Sequence, residues 1–208
     1  MSSPAKPIKV VAFNGSHLPD GSTGQMINIL FEALRKNGIE CEMVMVGNAP
    51  FVSGCIDCGA CKTAGKCVRA KSGDPINEWY AKMMEADGIV LATPTHYAGV
   101  STAMKSLIDR CGQISLYQGG TLKNKIGTAV VSAASSGAID AFNQINHFFT
   151  YLQVHVVSGD SWNDGIGLTP SEVASSPRTK KNMESLAANM AFLLKKLHPE
   201  RAASTEVA

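Results

Sequence analysis

No run of this chain is long and apolar enough for a membrane span, and Met1 to Lys9 lacks the hydrophobic core of a signal peptide. The expectation is a cytoplasmic protein. Charge is scarce as well: 17% of residues are charged, and the net charge is +2. That leaves no electrostatic case for nucleic acid or for an anionic membrane as a partner. There is no internal repeat and no low-complexity segment. No G-x-G-x-x-G follows a strand and no G-K-[ST] is present, which excludes a dinucleotide fingerprint and a Walker A loop. No Ser-His-Asp arrangement is apparent, and hydrolysis through such a triad needs one. What remains is a globular chain of 208 residues, 45% hydrophobic, with ample length for a buried core. It reads as one domain over 1–199, followed by a flexible tail over 200–208.

Cysteine is where the sequence is rich. Four of its six cysteines, Cys55, Cys58, Cys61 and Cys67, fall in one stretch as C-x2-C-x2-C-x5-C. Three-residue steps let successive thiolates turn toward one centre, and Gly54, Gly59 and Gly65 permit the tight turns this needs. Zinc sites usually present paired C-x2-C units separated by a longer run. Three cysteines in one tight series suit the corners of an iron–sulfur cube better. The bacterial ferredoxin run ends in C-x3-C-P and shares its last cysteine with another cluster. Here the fourth cysteine comes later and Val68 follows it, so the motif reads as one self-contained [4Fe-4S] cluster. Zinc, and a metal-free loop of free or redox-active thiols, are the competing readings. A disulfide framework would need an oxidising compartment. Cys41 and Cys111 read as buried apolar side chains.

Along the chain, short apolar runs alternate with helical patterns. Ile8 to Phe13 lacks polar alternation and reads as a strand buried on both faces. Met26, Ile27, Leu30, Phe31 and Leu34 mark one face of a helix that stops near Asn37-Gly38. Residues 40–46 form a second strand, and the cysteine-rich insertion (47–73) follows directly. Asp74-Pro75 opens the next helix as N-cap and first helical residue. Residues 88–92, 125–132 and 154–157 read as further strands, with helices over 102–113, 139–152 and about 180–197. Met26, Met83, Met84 and Met104 sit at helical spacing and are expected in the core. Asp109-Arg110 reads as an ion pair or subunit contact. His147, His155 and His198 read as structural.

Strands alternating with helices imply right-handed crossovers and a parallel sheet covered on both faces. The expected fold is α/β: a flavodoxin-like, doubly wound five-stranded sheet of order 2-1-3-4-5, with the cysteine-rich loop after strand 2. In such sheets ligands sit beyond the carboxyl ends of the strands, at the switch between strands 1 and 3. The loops after strands 1, 3 and 4 should then line one crevice. Ser16, Ser22 and Thr23 offer hydroxyls at a helix start, a cradle suited to one phosphate, or simply a helix cap.

Gly15-Ser16 with Ser22-Thr23, then Thr93-Pro94-Thr95-His96-Tyr97 and Ser135-Ser136-Gly137, resembles the NADPH-dependent FMN reductases of the flavodoxin-like superfamily. The four-cysteine stretch resembles the iron–sulfur flavoprotein branch. The resemblance covers roughly residues 8–157. It implies that Ser16, Ser22 and Thr23 hold the FMN phosphate, with His17 in reach. It also implies that Pro94, Thr95, His96 and Tyr97 lie along the isoalloxazine ring, and that Ser135, Ser136 and Gly137 close the far side. The arginine that family phosphate loops often carry near His17–Pro19 is missing here. The implied activity is flavin-dependent oxidoreduction, with electrons passing between FMN and a [4Fe-4S] cluster. The implied partners are NAD(P)H, a quinone or a ferredoxin, in a homodimer or homotetramer. The alternatives are a cluster-free NAD(P)H-dependent FMN or quinone reductase and a non-enzymatic thiol redox sensor.

Overall fold

The computed structural model describes residues 6–50 and 52–202. In chain order the elements are β1 (Lys9–Asn14), α1 (Ser22–Lys36), β2 (Glu40–Met45), α2 (Cys61–Ala64), α3 (Ile76–Glu85), β3 (Gly88–Pro94) and α4 (Thr102–Tyr117). They continue with β4 (Ile126–Ala133), α5 (Ala138–Tyr151), β5 (His155–Val156), β6 (Asp164–Ile166), α6 (Pro170–Ser175), α7 (Pro177–Leu197) and α8 (Pro199–Ala202). The strands pair in parallel in the order β2-β1-β3-β4-β5, with β6 also pairing with β4. This is the flavodoxin-like order expected from the pattern of runs.

The lack of polar alternation in β1, β3 and β4 has a direct structural cause. Val11, Phe13, Ile89, Leu91, Ala129 and Val131 pack on one side against α3, α4 and α5. Their neighbours Val10, Ala12, Val90, Ala92, Ile126 and Val130 pack on the other against α1 and α7. Each fully buried Val, Leu, Ile or Phe contributes about 1.5–3 kcal/mol, so these central strands specify their own depth. β2 is an edge strand and correspondingly polar, with Glu42 bound by Lys9 and Lys82.

The last strand differs from expectation in an informative way. A single run over 154–157 was the prediction, but this edge is in two pieces. β5 pairs with Ile126 and Gly127, and β6 pairs with Val131 to Ala133. Between them the chain loops out, and side chains replace the missing ladder. Thr128 donates its hydroxyl to Val157 O at 2.7 Å and accepts from the Asn163 amide at 2.9 Å. Asn163 Oδ1 in turn accepts from Gly159 N at 3.0 Å.

Other differences are local. Pro75, not Asp74, occupies the N-cap of α3, while Asp74 Oδ1 accepts from Ile76 N at 3.2 Å. α7 begins at Pro177, where Ser176 Oγ accepts from Thr179 N. Met84 is 39% exposed and not in the core, because α3 buries Ile76, Trp79 and Met83, and residue 84 points a third of a turn away. The expected tail from 200 starts with the helical turn α8, where Arg201 donates to Asp87 Oδ1 and Oδ2 at 2.8 and 2.6 Å. Its remainder, 203–208, lies outside the described residues.

Candidate active site

The loop after β1 is shaped by a buried amide. Asn14 Oδ1 accepts from Ser16 N at 2.9 Å, Ser16 Oγ accepts from Leu18 N at 3.1 Å, and Gly15 N donates to Ala92 O at 2.7 Å. These bonds fix the loop across the ends of β1 and β3 before α1 begins. No side chain caps α1, and no acid lies in its first turn. The first N–H groups of a helix have no partner within it, and they carry the positive end of its dipole. Gly24 lies so close beneath the loop that a Cβ there would stand 1.7 Å from Pro19 O. Thr23, fully buried, shares a 2.8 Å hydrogen bond with Ser132 at the end of β4.

Ser16, His17, Ser22, Thr23, Pro94, Thr95 and His96 line one crevice of about 310 Å³ at the carboxyl ends of the strands. Ser132, Ala133 and Ala134 form its far wall, and Gly167, Leu168 and Pro170 its rim. Ser135 and Ser136, expected to close that side, are exposed and lie outside the crevice lining, which ends at Ala134. Gly137, in the left-handed region at φ 81°, caps α5 and presses on the neighbouring loop. A Cβ there would stand 3.0 Å from Ala98 Cα.

That neighbouring loop is a tight turn. His96 and Gly99 exchange backbone hydrogen bonds at 2.9 Å, and Tyr97 (φ 48°) and Ala98 (φ 62°) both adopt left-handed backbone. Two adjacent non-glycine residues in that region store strain of order 1–3 kcal/mol each. The turn thrusts Tyr97 fully into solvent, beyond the crevice lining. Thr95 N is fixed to Ser132 O at 2.8 Å, while Thr95 Oγ1 is buried without a hydrogen-bond partner. An orphaned buried hydroxyl costs about 1–3 kcal/mol and calls for a ligand atom.

The cysteine loop is built differently. It holds only the four-residue α2, and turns at Asp57 (φ 50°), Gly59 (φ 67°) and Gly65 (φ 66°) fold it on itself. Cys55, Cys58, Cys61 and Cys67 line one pocket together with Arg110. Cys55 and Cys58 are exposed, Cys61 and Cys67 half-buried. Burial, and in smaller measure the other three thiols, pushes the Cys61 thiol up. Two sulfurs already accept hydrogen bonds: Cys55 from Asp57 N at 3.4 Å, and Cys67 from Arg110 Nη2 at 3.2 Å. Among the described residues no three His, Cys, Asp or Glu side chains are grouped closely enough to hold a single metal ion.

Helices α3 and α4 clasp this loop. Ser106 donates to Val52 O, and Gln118 donates to Cys61 O and Lys62 O at 2.9 and 3.1 Å. Asn77 exchanges two hydrogen bonds with the backbone of Cys67, at 2.8 and 3.1 Å. Arg110 pairs with Asp74 at 2.6 Å, while Asp109 pairs with Lys105 instead. Sequence reasoning missed Arg110, Asn77, Gln118 and Ser132. A signal existed for Arg110: it falls on the buried face of α4, four residues after Ser106 and beside Cys111 and Ile114. The remaining thiols stand apart. Cys111 is fully buried, and half-buried Cys41 is pushed up to about 11 by desolvation.

Residues 8–168 match the family model described as NADPH-dependent FMN reductase. The chain is 32% identical over 200 residues to an iron–sulfur flavoprotein of Methanocaldococcus jannaschii, covering 91% of this chain and all of that one. It is 29% identical over 167 residues to an iron–sulfur flavoprotein of Methanosarcina thermophila, covering 79% and 85%. Among solved structures it resembles RosB with a bound formylated riboflavin phosphate intermediate (TM-score 0.71, 19% identity, covering 96% and 84%). It also resembles an archaeal flavodoxin (TM-score 0.60, 14% identity, covering 90% and 99%). At those identities the structures speak for the fold alone.

Proposed function

The chain belongs to the NADPH-dependent FMN reductase family, and from that premise we propose that it is a flavin-dependent oxidoreductase that also carries a [4Fe-4S] cluster. The observation that carries the second half is that all four cysteines of the C-x2-C-x2-C-x5-C motif line one pocket. Three of the four cysteines follow one another at three-residue steps, which suits a cube that offers one iron to each of them better than the separated C-x2-C pairs of a zinc site. N–H donors already directed at Cys55 and Cys67 suit sulfurs that carry negative charge.

The crevice fits FMN on three counts. The open N-terminus of α1, with the hydroxyls of Ser16, Ser22 and Thr23, would hold a phosphate by hydrogen bonds and helix dipole. His17 stands at the mouth of the same crevice. Thr95 Oγ1 is a buried donor without a partner at its wall. Pro94, His96 and Tyr97 would flank the ring on one side, with Ser135, Ser136 and Gly137 beyond Ser132 on the other. Bound there, FMN would supply both two-electron and one-electron redox chemistry, so that a nicotinamide donor could serve a one-electron centre. The protein's own part is to orient the flavin and exclude water from its inner edge. Cys55, Cys58, Cys61 and Cys67 would hold the cluster. NAD(P)H as donor, a quinone or ferredoxin as acceptor, and assembly as a homodimer or homotetramer complete the proposal.

The test is anaerobic purification with assays of FMN, iron and sulfide, on the native protein and on Cys55→Ala and Cys67→Ala. FMN with four irons and four sulfides per chain, both lost in the variants, supports the reading. FMN without iron leaves a plain flavin reductase. Neither flavin nor iron overturns the whole reading.

A further inference from the structure

Arg110 is the only charged side chain among the buried described residues, at 3% exposure. Desolvating a guanidinium costs several kcal/mol unless its donors are matched. Here Nη1 donates to Asp74 Oδ2 at 2.6 Å and to Ser53 O at 3.1 Å, and Nη2 donates to Cys67 Sγ at 3.2 Å. Anchoring alone does not call for this charge. The rest of the clasp on the cysteine loop is made by neutral Ser106, Gln118 and Asn77, each bonded to main-chain atoms. Arg110 alone among them reaches a cysteine sulfur. Asp74 in turn is steadied by Ile76 N at the start of α3, so the pair is held from two helices.

Hydrogen bonds to ligand sulfurs and net charge nearby are what set cluster potentials within a given cluster type. We infer that Arg110, held by Asp74, is a positioning residue that raises the reduction potential of the centre at Cys67. This rests on the cluster reading above. The guanidinium withdraws charge from the sulfur and favours the reduced, more negative cluster. Asp74 partly offsets it, so the two residues act with opposite sign.

The experiment is a spectroscopically monitored redox titration of the cluster in native protein, Arg110→Gln, Arg110→Lys and Asp74→Asn. Iron, sulfide and FMN contents are measured in parallel. Arg110→Gln is expected to lower the one-electron reduction equilibrium constant about tenfold, a downward shift of about 59 mV. Arg110→Lys falls between Gln and native, and Asp74→Asn shifts upward about threefold in the same constant. A merely structural role predicts otherwise: lower cluster content, but native potential in the molecules that retain it. Water entering beside the sulfur would also push the potential up in Arg110→Gln, against the expected sign. Equal potentials in native and Arg110→Gln, or shifts of the same sign in Arg110→Gln and Asp74→Asn, overturn the inference while leaving the cluster intact. Should Arg110→Gln hold no cluster, an unmoved potential in Asp74→Asn overturns it and an upward one supports it. Native protein with FMN but no iron removes the cluster reading and this inference together.

Discussion

The crevice at the strand ends and the cysteine pocket leave the same edge of one sheet, yet they are made by opposite means. The crevice is built from strand ends, main-chain groups and small hydroxyl side chains, held by bonds that cross between β1, β3 and β4. The cysteine loop has almost no regular structure and owes its shape to long polar side chains reaching from α3 and α4. A site made of main chain is specified by the fold itself. A site hung on side chains can be retuned without disturbing the sheet.

Breaking one region and not the other is the direct test of that contrast. The largest effect is expected from Cys67→Ala, with loss of essentially all cluster iron but unchanged FMN content, read by metal and flavin assays on the same sample. Next is Gly24→Ala, whose new methyl meets Pro19 O beneath the loop between β1 and α1. Overpacking of this kind costs about 1–3 kcal/mol. FMN affinity should fall about tenfold by fluorescence titration while iron content stays native, and loss of both would mean the regions are not independent.

A third variant, Asp87→Asn, lies at the opposite end of the sheet from both sites. Burial works against the Asp87 carboxylate, but Arg201 and the Lys9 N–H outweigh it and hold its pKa below the ordinary value. Its stabilisation is therefore present above about pH 4, the usual carboxylate value, and is lost as pH falls through the lower folded value. In Asp87→Asn the apoprotein should lose about 1–3 kcal/mol at pH 7 by urea unfolding, as expected where charge-assisted hydrogen bonds to Arg201 are weakened. Its stability should also fall less between pH 5 and pH 3. The smallest effect is expected from Lys105→Ala, which removes an exposed pair with Asp109 one turn from Arg110. Such i,i+4 pairs contribute about 0.3–0.5 kcal/mol, so the melting temperature should barely move. A large shift would mean that exposed and buried pairs on α4 are coupled.

The contrast also explains what could be read from sequence. β1, β3 and β4 were legible because burial on both faces leaves an uninterrupted apolar run, and the loops after them follow from the strand order. β6 was not, since Asp164-Gly165-Ile166 carries no strand pattern and exists through its pairing with β4. Ser16 and Thr23 stood out as hydroxyls at a helix start, a pattern that a simple cap shares, and Thr95 came only through the family resemblance, whereas Ser132 was hidden as the last polar residue of an apolar strand. The grouping of the four cysteines was plain from spacing, and the structure brings all four to one pocket. Its clasp was not, because Arg110 reads naturally with its sequence neighbour Asp109. Adjacent residues on a helix do not face each other, and the true partner, Asp74, is 36 residues away.

The divided outer edge of the sheet has a use beyond this molecule. β5 and β6 each keep their own register with β4, and the Thr128–Asn163 pair bridges the gap. The chain between Asp160 and Ser161 is therefore a natural splice point. A reporter peptide or a binding module could be inserted there and carried at the outer edge of the sheet, with both strand registers kept by their pairing with β4.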